Sequence, residues 1–391
     1  MNALDIDALL DDPDRGIIVC CGSGGVGKTT TSAAIALRAA ERGRKVVVLT
    51  IDPARRLAQS MGIETLDNIP RPVPGVVGAD EAGGGSLDAM MLDMKTTFDE
   101  VVRSQASKEK AEQVLANPFY VAVSSSFAGT QEYMAMEKLG QLDQDARRTG
   151  RWDLIVVDTP PSRSALDFLD APERLSSFLD GRFMKLLLTP ARGPARLMTA
   201  GFSLVTSALT RIIGAQVLTD MKAFVAAFDT LFGGFRARAQ RTFELLQDRR
   251  TAFLVIAAPE PDALREAAYF VERLRAEQMP LAGLVINRAT SRPTGTLTSN
   301  AALAGVERLR DLHDSPAPTS APTSGLAAGL LRLHADRLVL VQREQRLIGR
   351  FATSHPGVPS AVLPALSTDV HDLDGLRRIG ELLATQVAHD R

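Results

Sequence analysis

Cysteine is almost missing from this chain: 391 residues hold two, Cys20 and Cys21, side by side. Neighbours on a strand point to opposite faces, so the pair cannot converge on a soft ion and contains no Cys-x-x-Cys spacing. A zinc or disulfide framework is therefore not expected. An excess of charge of either sign is missing too, with 45 Lys+Arg against 46 Asp+Glu. No overall field draws the chain to nucleic acid or to an anionic membrane, and affinity for either would have to be local. The first fourteen residues, Met1 to Asp14, lack the basic and apolar segments of a secretory signal, so a cytoplasmic protein is expected. Long apolar runs are missing as well: the uncharged stretch Leu197 to Thr210 is shorter than the ~20 residues that span a bilayer.

What the chain does contain is a complete phosphate loop. Gly22, Ser23, Gly24, Gly25, Val26, Gly27, Lys28 and Thr29 satisfy glycine, four residues, Gly-Lys-Thr. The apolar run Gly16 to Cys21 before it reads as a buried strand, and the alanine-rich run Thr30 to Glu41 as the helix behind it. Glycines bring main-chain N–H groups close to a phosphate, and the helix aims the positive end of its dipole there. Lys28 reaches the β- and γ-phosphates, and the Thr29 hydroxyl suits magnesium, so the implied ligand is a magnesium nucleotide.

Two more apolar runs end on an acid. The first, Lys45 to Asp52, continues into Pro53, Ala54, Arg55 and Arg56; Asp52 either faces the ligand crevice of a parallel sheet or caps the next helix. The second, Trp152 to Asp158, leads into Thr159, Pro160 and Pro161; Asp158 either supports the magnesium shell, through water, or opens a turn. A fourth run, Leu281 to Ile286, ends at Asn287, whose amide suits either base reading or a plain turn.

Elsewhere the pattern predicts a loop from Ile69 to Ser86, a strand from Leu87 to Leu92 and a charged helix from Thr97 to Leu115. Helix is expected over Phe119 to Asp145, broken at Gly129 and Gly140. Strand Ala252 to Ala258, a helix opened by Pro261, and strand Ser360 to Pro364 continue the alternation, with a closing helix from Leu373 to Val387. Residues 313–325, rich in Pro, Ser and Thr, read as a flexible loop before a long helix from Leu326 to Thr353. The stretch 166–243 is helical in pattern and sparsely charged, which fits either buried core or an interaction surface. The expected class is α/β: a mostly parallel sheet with helices on both faces, one domain over 1–391 with an inserted apolar helical subdomain at 166–243.

Taken together these residues resemble the ArsA-type ATPases, which include the arsenite-pump ATPase subunit and the ATPase that targets tail-anchored membrane proteins. The resemblance spans nearly the whole chain and rests on the phosphate loop, on Asp52 to Arg55 as a first switch, and on Asp158 to Pro172 as a second. It implies that Lys28 and Thr29 hold ATP and Mg2+, that Asp52 orients or activates the attacking water, and that Asn287 and Pro364 contact adenine. It also implies a dimer whose apolar helices at 166–243 handle a hydrophobic or membrane-associated client, with attachment at the membrane periphery. No internal repeat occurs, so this is not a tandem pair of such ATPases. In the family a lysine at the second loop position reaches the partner's nucleotide; here that residue is Ser23, which points to a heterodimer with a related, lysine-bearing subunit, a homodimer being the alternative. The alternatives are a weakly hydrolysing regulatory subunit and the energising partner of a membrane transporter. Two adjacent cysteines make no arsenite site.

Overall fold

A computed structural model describes residues 2–52, 56–78, 84–117, 120–121, 130–159, 237–313 and 321–385. The stretch 166–243, the expected client subdomain, lies outside the described residues except for 237–243, which are helical. Arg55 and the second switch beyond Thr159 also lie outside them.

The strands are β1 (Ile17–Gly22), β2 (Lys45–Thr50), β3 (Arg71–Pro72), β4 (Ser86–Met91), β5 (Leu154–Asp158), β6 (Thr251–Ala257), β7 (Leu281–Ala289) and β8 (Ser360–Pro364). They form one sheet in the order β3-β4-β2-β5-β1-β6-β7-β8, parallel throughout except for the short edge strand β3. The helices are α1 (Ile6–Asp11), α2 (Lys28–Glu41), α3 (Arg56–Ser60), α4 (Met94–Gln105), α5 (Lys108–Leu115), α6 (Thr130–Thr149), α7 (Pro261–Ala276), α8 (Ser299–His313), α9 (Ala321–Ser354) and α10 (Leu373–Ala384).

The interiors of the central strands are apolar because both faces of the sheet are covered, with polar residues such as Thr50 and Asp158 at strand ends. Alternate residues enter different cores. Ile17, Val19, Cys21, Val47, Leu49, Ile155 and Val157 pack with side chains of α4, α6 and α7. Ile18, Cys20, Val46, Val48, Leu154 and Val156 pack with α1, α2 and α10 on the other face. Cys20 and Cys21 are thus buried, free thiols in opposite layers. Each fully buried aliphatic side chain contributes about 1.5–3 kcal/mol, and the small side chains of Ala33, Ala36 and Ala40 let α2 lie close against the strands.

Several sequence expectations need correction. The helix expected over Thr97 to Leu115 is two, α4 and α5, because Ala106 and Ser107 are extended. Gly140 does not break α6; a Cβ there would lie 2.7 Å from Thr242 Oγ1, so the glycine serves a close approach of the 237–247 helix. The loop Ile69 to Ser86 contains β3, and α1 had no counterpart in the sequence pattern. Of the loop placed at 313–325, His313 and residues 321–325 are helical, and residues 314–320 lie outside the described residues. Strand β7 runs past Asn287 to Ala289 through a register shift.

Candidate nucleotide site

The sheet order positions the site. The order in which strands are added changes side around β1, whose parallel neighbours are β5 and β6, and ligands of parallel sheets sit beyond the strand ends at such a switch point. The phosphate loop leaves β1 there. Gly25 and Gly27 have φ of 74° and 91°, a region open to glycine at little cost. Gly27 is also the N-cap of α2 and offers no side-chain cap, so the first N–H groups of the helix remain available to an anion. Lys28 is buried and donates from Nζ to the Ser23 carbonyl at 2.7 Å, folding the loop around its own lysine. Burial lowers the Lys28 pKa, against the raising influence of Asp158 and other acidic neighbours.

Beside the loop lies a polar cluster built by register. Thr50 and Asp158 are partners across β2 and β5, and Cys20 and Asp158 across β1 and β5. Asp158 Oδ2 accepts from Thr29 Oγ1 at 2.7 Å and from Thr50 Oγ1 at 2.9 Å. Burial pushes the Asp158 carboxyl up to about 6, although the two hydroxyls and Lys28 pull it down. The Asp52 main-chain N–H donates to Thr50 Oγ1 at 3.2 Å, so Thr50 ties the Asp52 backbone to the Asp158 carboxylate. Thr50 was not foreseen; its signal was a hydroxyl two residues before Asp52 in an apolar run. Nearby, burial pushes Cys20 well above the ordinary thiol range and Cys21 up to about 12, so both stay protonated.

The other wall of the loop comes from the far side of the sheet. Asn287 Nδ2 donates to the Val26 carbonyl at 2.9 Å, and a Cβ on Gly27 would lie 2.2 Å from that nitrogen. A cleft of about 280 Å³ runs from here, lined by Gly25, Gly27, Thr30, Asn287 and Pro364 and closed by Leu363, Val370 and Ile379. The structure therefore brings Asn287 and Pro364 to the phosphate loop from 260 residues or more along the chain. Arg56 and Arg288 line the same cleft and were missed as site residues. Gly24 is exposed at the tip of the loop.

The residues fit a magnesium nucleotide. Asp158 Oδ1 is buried with no hydrogen-bond partner among the described residues, and Thr29 Oγ1 sits on the other carboxylate oxygen. Hard oxygen donors of this kind suit Mg2+, and an uncapped helix N-terminus behind glycines suits phosphates.

Fold and site together define a P-loop ATPase. The sequence model of the ArsA ATPase family, described as anion-transporting ATPases, matches residues 15–296, and the chain belongs to that family. It is similar to an ATPase ASNA1 homolog of Cryptosporidium parvum, 26% identical over 302 residues, which cover 76% of this chain and 73% of that protein. It is also similar to ATPase GET3C of Arabidopsis thaliana, 24% identical over 285 residues, 68% of this chain and 65% of the relative. An arsenical pump-driving ATPase of Escherichia coli is 30% identical over 161 residues, 41% of this chain but 26% of that longer protein. Among the described residues no helix is long and apolar enough to cross a membrane.

Proposed function

We propose that the chain is a magnesium-dependent ATPase whose nucleotide state switches a dimer that handles a hydrophobic or membrane-associated client. The observation that carries the reading is that two sets of residues meet the phosphate loop: the Thr29–Thr50–Asp158 cluster at the start of α2, and Asn287 with Pro364 in the cleft beside Gly25 and Gly27. In this reading Lys28 leaves the Ser23 carbonyl for the β- and γ-phosphates, and the α2 N-terminus receives the remaining phosphate charge. Thr29 and Asp158 are the residues that would hold Mg2+, which neutralises phosphate charge during transfer. Asp52 orients the attacking water, and Thr50 links its main chain to Asp158, so hydrolysis is felt at both acids. Asn287 and Pro364 take the base. The client class comes from the resemblance to the ArsA-type ATPases, and the apolar stretch 166–243 is its proposed seat.

The test is ATP turnover of the purified chain with and without Mg2+. Magnesium-dependent hydrolysis that falls at least ~100-fold in Asp52→Asn, with ATP binding retained, supports the assignment. A wild-type chain that binds no ATP would sink it.

A further inference from the structure

The loop after β7 lies along α9 and is held there at three points. Glu344, buried in α9, accepts from the Thr290 main-chain N–H and from Thr290 Oγ1, each at 2.7 Å. Arg337 Nε donates to the Ser291 carbonyl at 3.1 Å, and His334 Nε2 sits 3.0 Å from the Leu297 carbonyl. Immediately before this loop β7 carries its irregularity. Register shifts between Ile286 and Ala289, and Arg288 has φ 61°, a conformation few non-glycine residues adopt. Such a residue persists where its surroundings over-determine it.

Its neighbours on both sides are held. The Arg288 N–H donates to Asn287 Oδ1 at 2.9 Å, Asn287 Nδ2 donates to Val26, and the Ala289 carbonyl accepts from Ala365 N at 2.8 Å beside Pro364. Thr290 is the next residue, and Glu344 fixes it with both carboxylate oxygens. Charge-assisted, doubly anchored hydrogen bonds set direction more firmly than single neutral ones. Asn287 is left with one N–H and one lone pair for a ligand, the complement of a base edge.

We infer that Glu344 is a positioning residue for base recognition: its grip on Thr290 holds the β7 bulge that aims Asn287 into the cleft. The inference rests on the nucleotide reading above. It adds that base affinity and base selectivity depend on the seat of α9, a helix not itself among the residues lining the cleft.

The experiment measures dissociation constants for ATP and GTP by titration calorimetry in the wild-type chain and in Glu344→Ala, Thr290→Val and Thr290→Ser, with thermal melts of each. Glu344→Ala is expected to weaken ATP binding roughly tenfold, the worth of about 1.4 kcal/mol, and to bring the ATP-to-GTP ratio toward one. Thr290→Val, which loses only the hydroxyl, should fall between, and Thr290→Ser should match wild type. Turnover at saturating ATP should change little. A merely structural role would lower the melting temperature and leave the ratio alone, and that result in either Glu344→Ala or Thr290→Val overturns the inference. Should Glu344→Ala not fold, the Thr290→Val ratio decides. A wild-type chain that binds neither nucleotide refutes the nucleotide reading instead.

Discussion

At the scale of single residues, Asp158 has the sharpest consequence. Its side chain is fully buried, and burial raises its pKa from 3.8 to about 6. The folded state therefore holds the proton more tightly than the unfolded chain. Stability then falls as pH rises from near 4 to near 6, and above that the full penalty of the buried charge is present. The shift is worth roughly 3 kcal/mol at most. Asp158→Asn removes the charge while keeping an acceptor for Thr29 and Thr50, so without nucleotide it should melt above wild type at about pH 7.5. That gap should narrow as pH falls below about 6 and close only near pH 4, where the carboxyl is neutral in the unfolded chain as well. Melting curves across this range check it, and a gap independent of pH would show that burial of charge is not the cause. The position of Asp158 was legible in the sequence, because an acid ending an apolar run after a phosphate loop is a local pattern. Its raised pKa was not, since that depends on how completely β1, β2 and the loop wall it in.

At the scale of elements, Gly140 separates local rules from tertiary ones. Read along the chain it breaks a helix; in the fold it lies inside α6. Helix propensity alone makes Gly140→Ala stabilising by about 1 kcal/mol. The new Cβ would meet Thr242 Oγ1 at 2.7 Å, and Thr242 is buried, so the neighbour has little room to give. Overpacking of that kind costs about 1–3 kcal/mol. The expected net effect is a loss of about 1 kcal/mol in urea denaturation, recovered when Thr242→Ala is added. A stabilised single variant would show that the two helices part easily. The same division explains which elements could be read in advance. Strands Ser360–Pro364 and Leu154–Asp158 announce themselves by apolar runs, and Pro261 marks a helix start. The β7 bulge and the break at Ala106 and Ser107 carry no comparable local signal, because partners elsewhere in the chain set them.

At the scale of the whole molecule, the order of strands was beyond the sequence pattern, yet it is what puts Asn287 beside Gly27. Pairing across a parallel sheet is decided by packing between distant segments, and only the family resemblance anticipated this meeting. The remaining question at this scale is how many chains make one working site. Lys28 is the cation of the phosphate loop, and here its ammonium folds back onto the Ser23 carbonyl. Ser23 itself is buried, with an Oγ that has no hydrogen-bond partner among the described residues, so this loop position presents no charge to a neighbouring subunit. Arg56 and Arg288 line the cleft that Asn287 and Pro364 also line, and neither Thr29 nor Asp158 is among its lining residues. They suit the base and sugar better than the transferring phosphoryl group. A cation supplied in trans is worth about 10³–10⁵ in phosphoryl transfer. The chain alone is therefore expected to turn ATP over slowly, and a lysine-bearing relative from the same cell to stimulate it at least ~100-fold, with the stimulation lost when this chain carries Asp52→Asn. Steady-state turnover of the two proteins, separate and mixed, decides the matter. Equal turnover with and without the relative, still abolished by Asp52→Asn, would mean that two copies of this chain complete the site and that the missing lysine is not needed for hydrolysis.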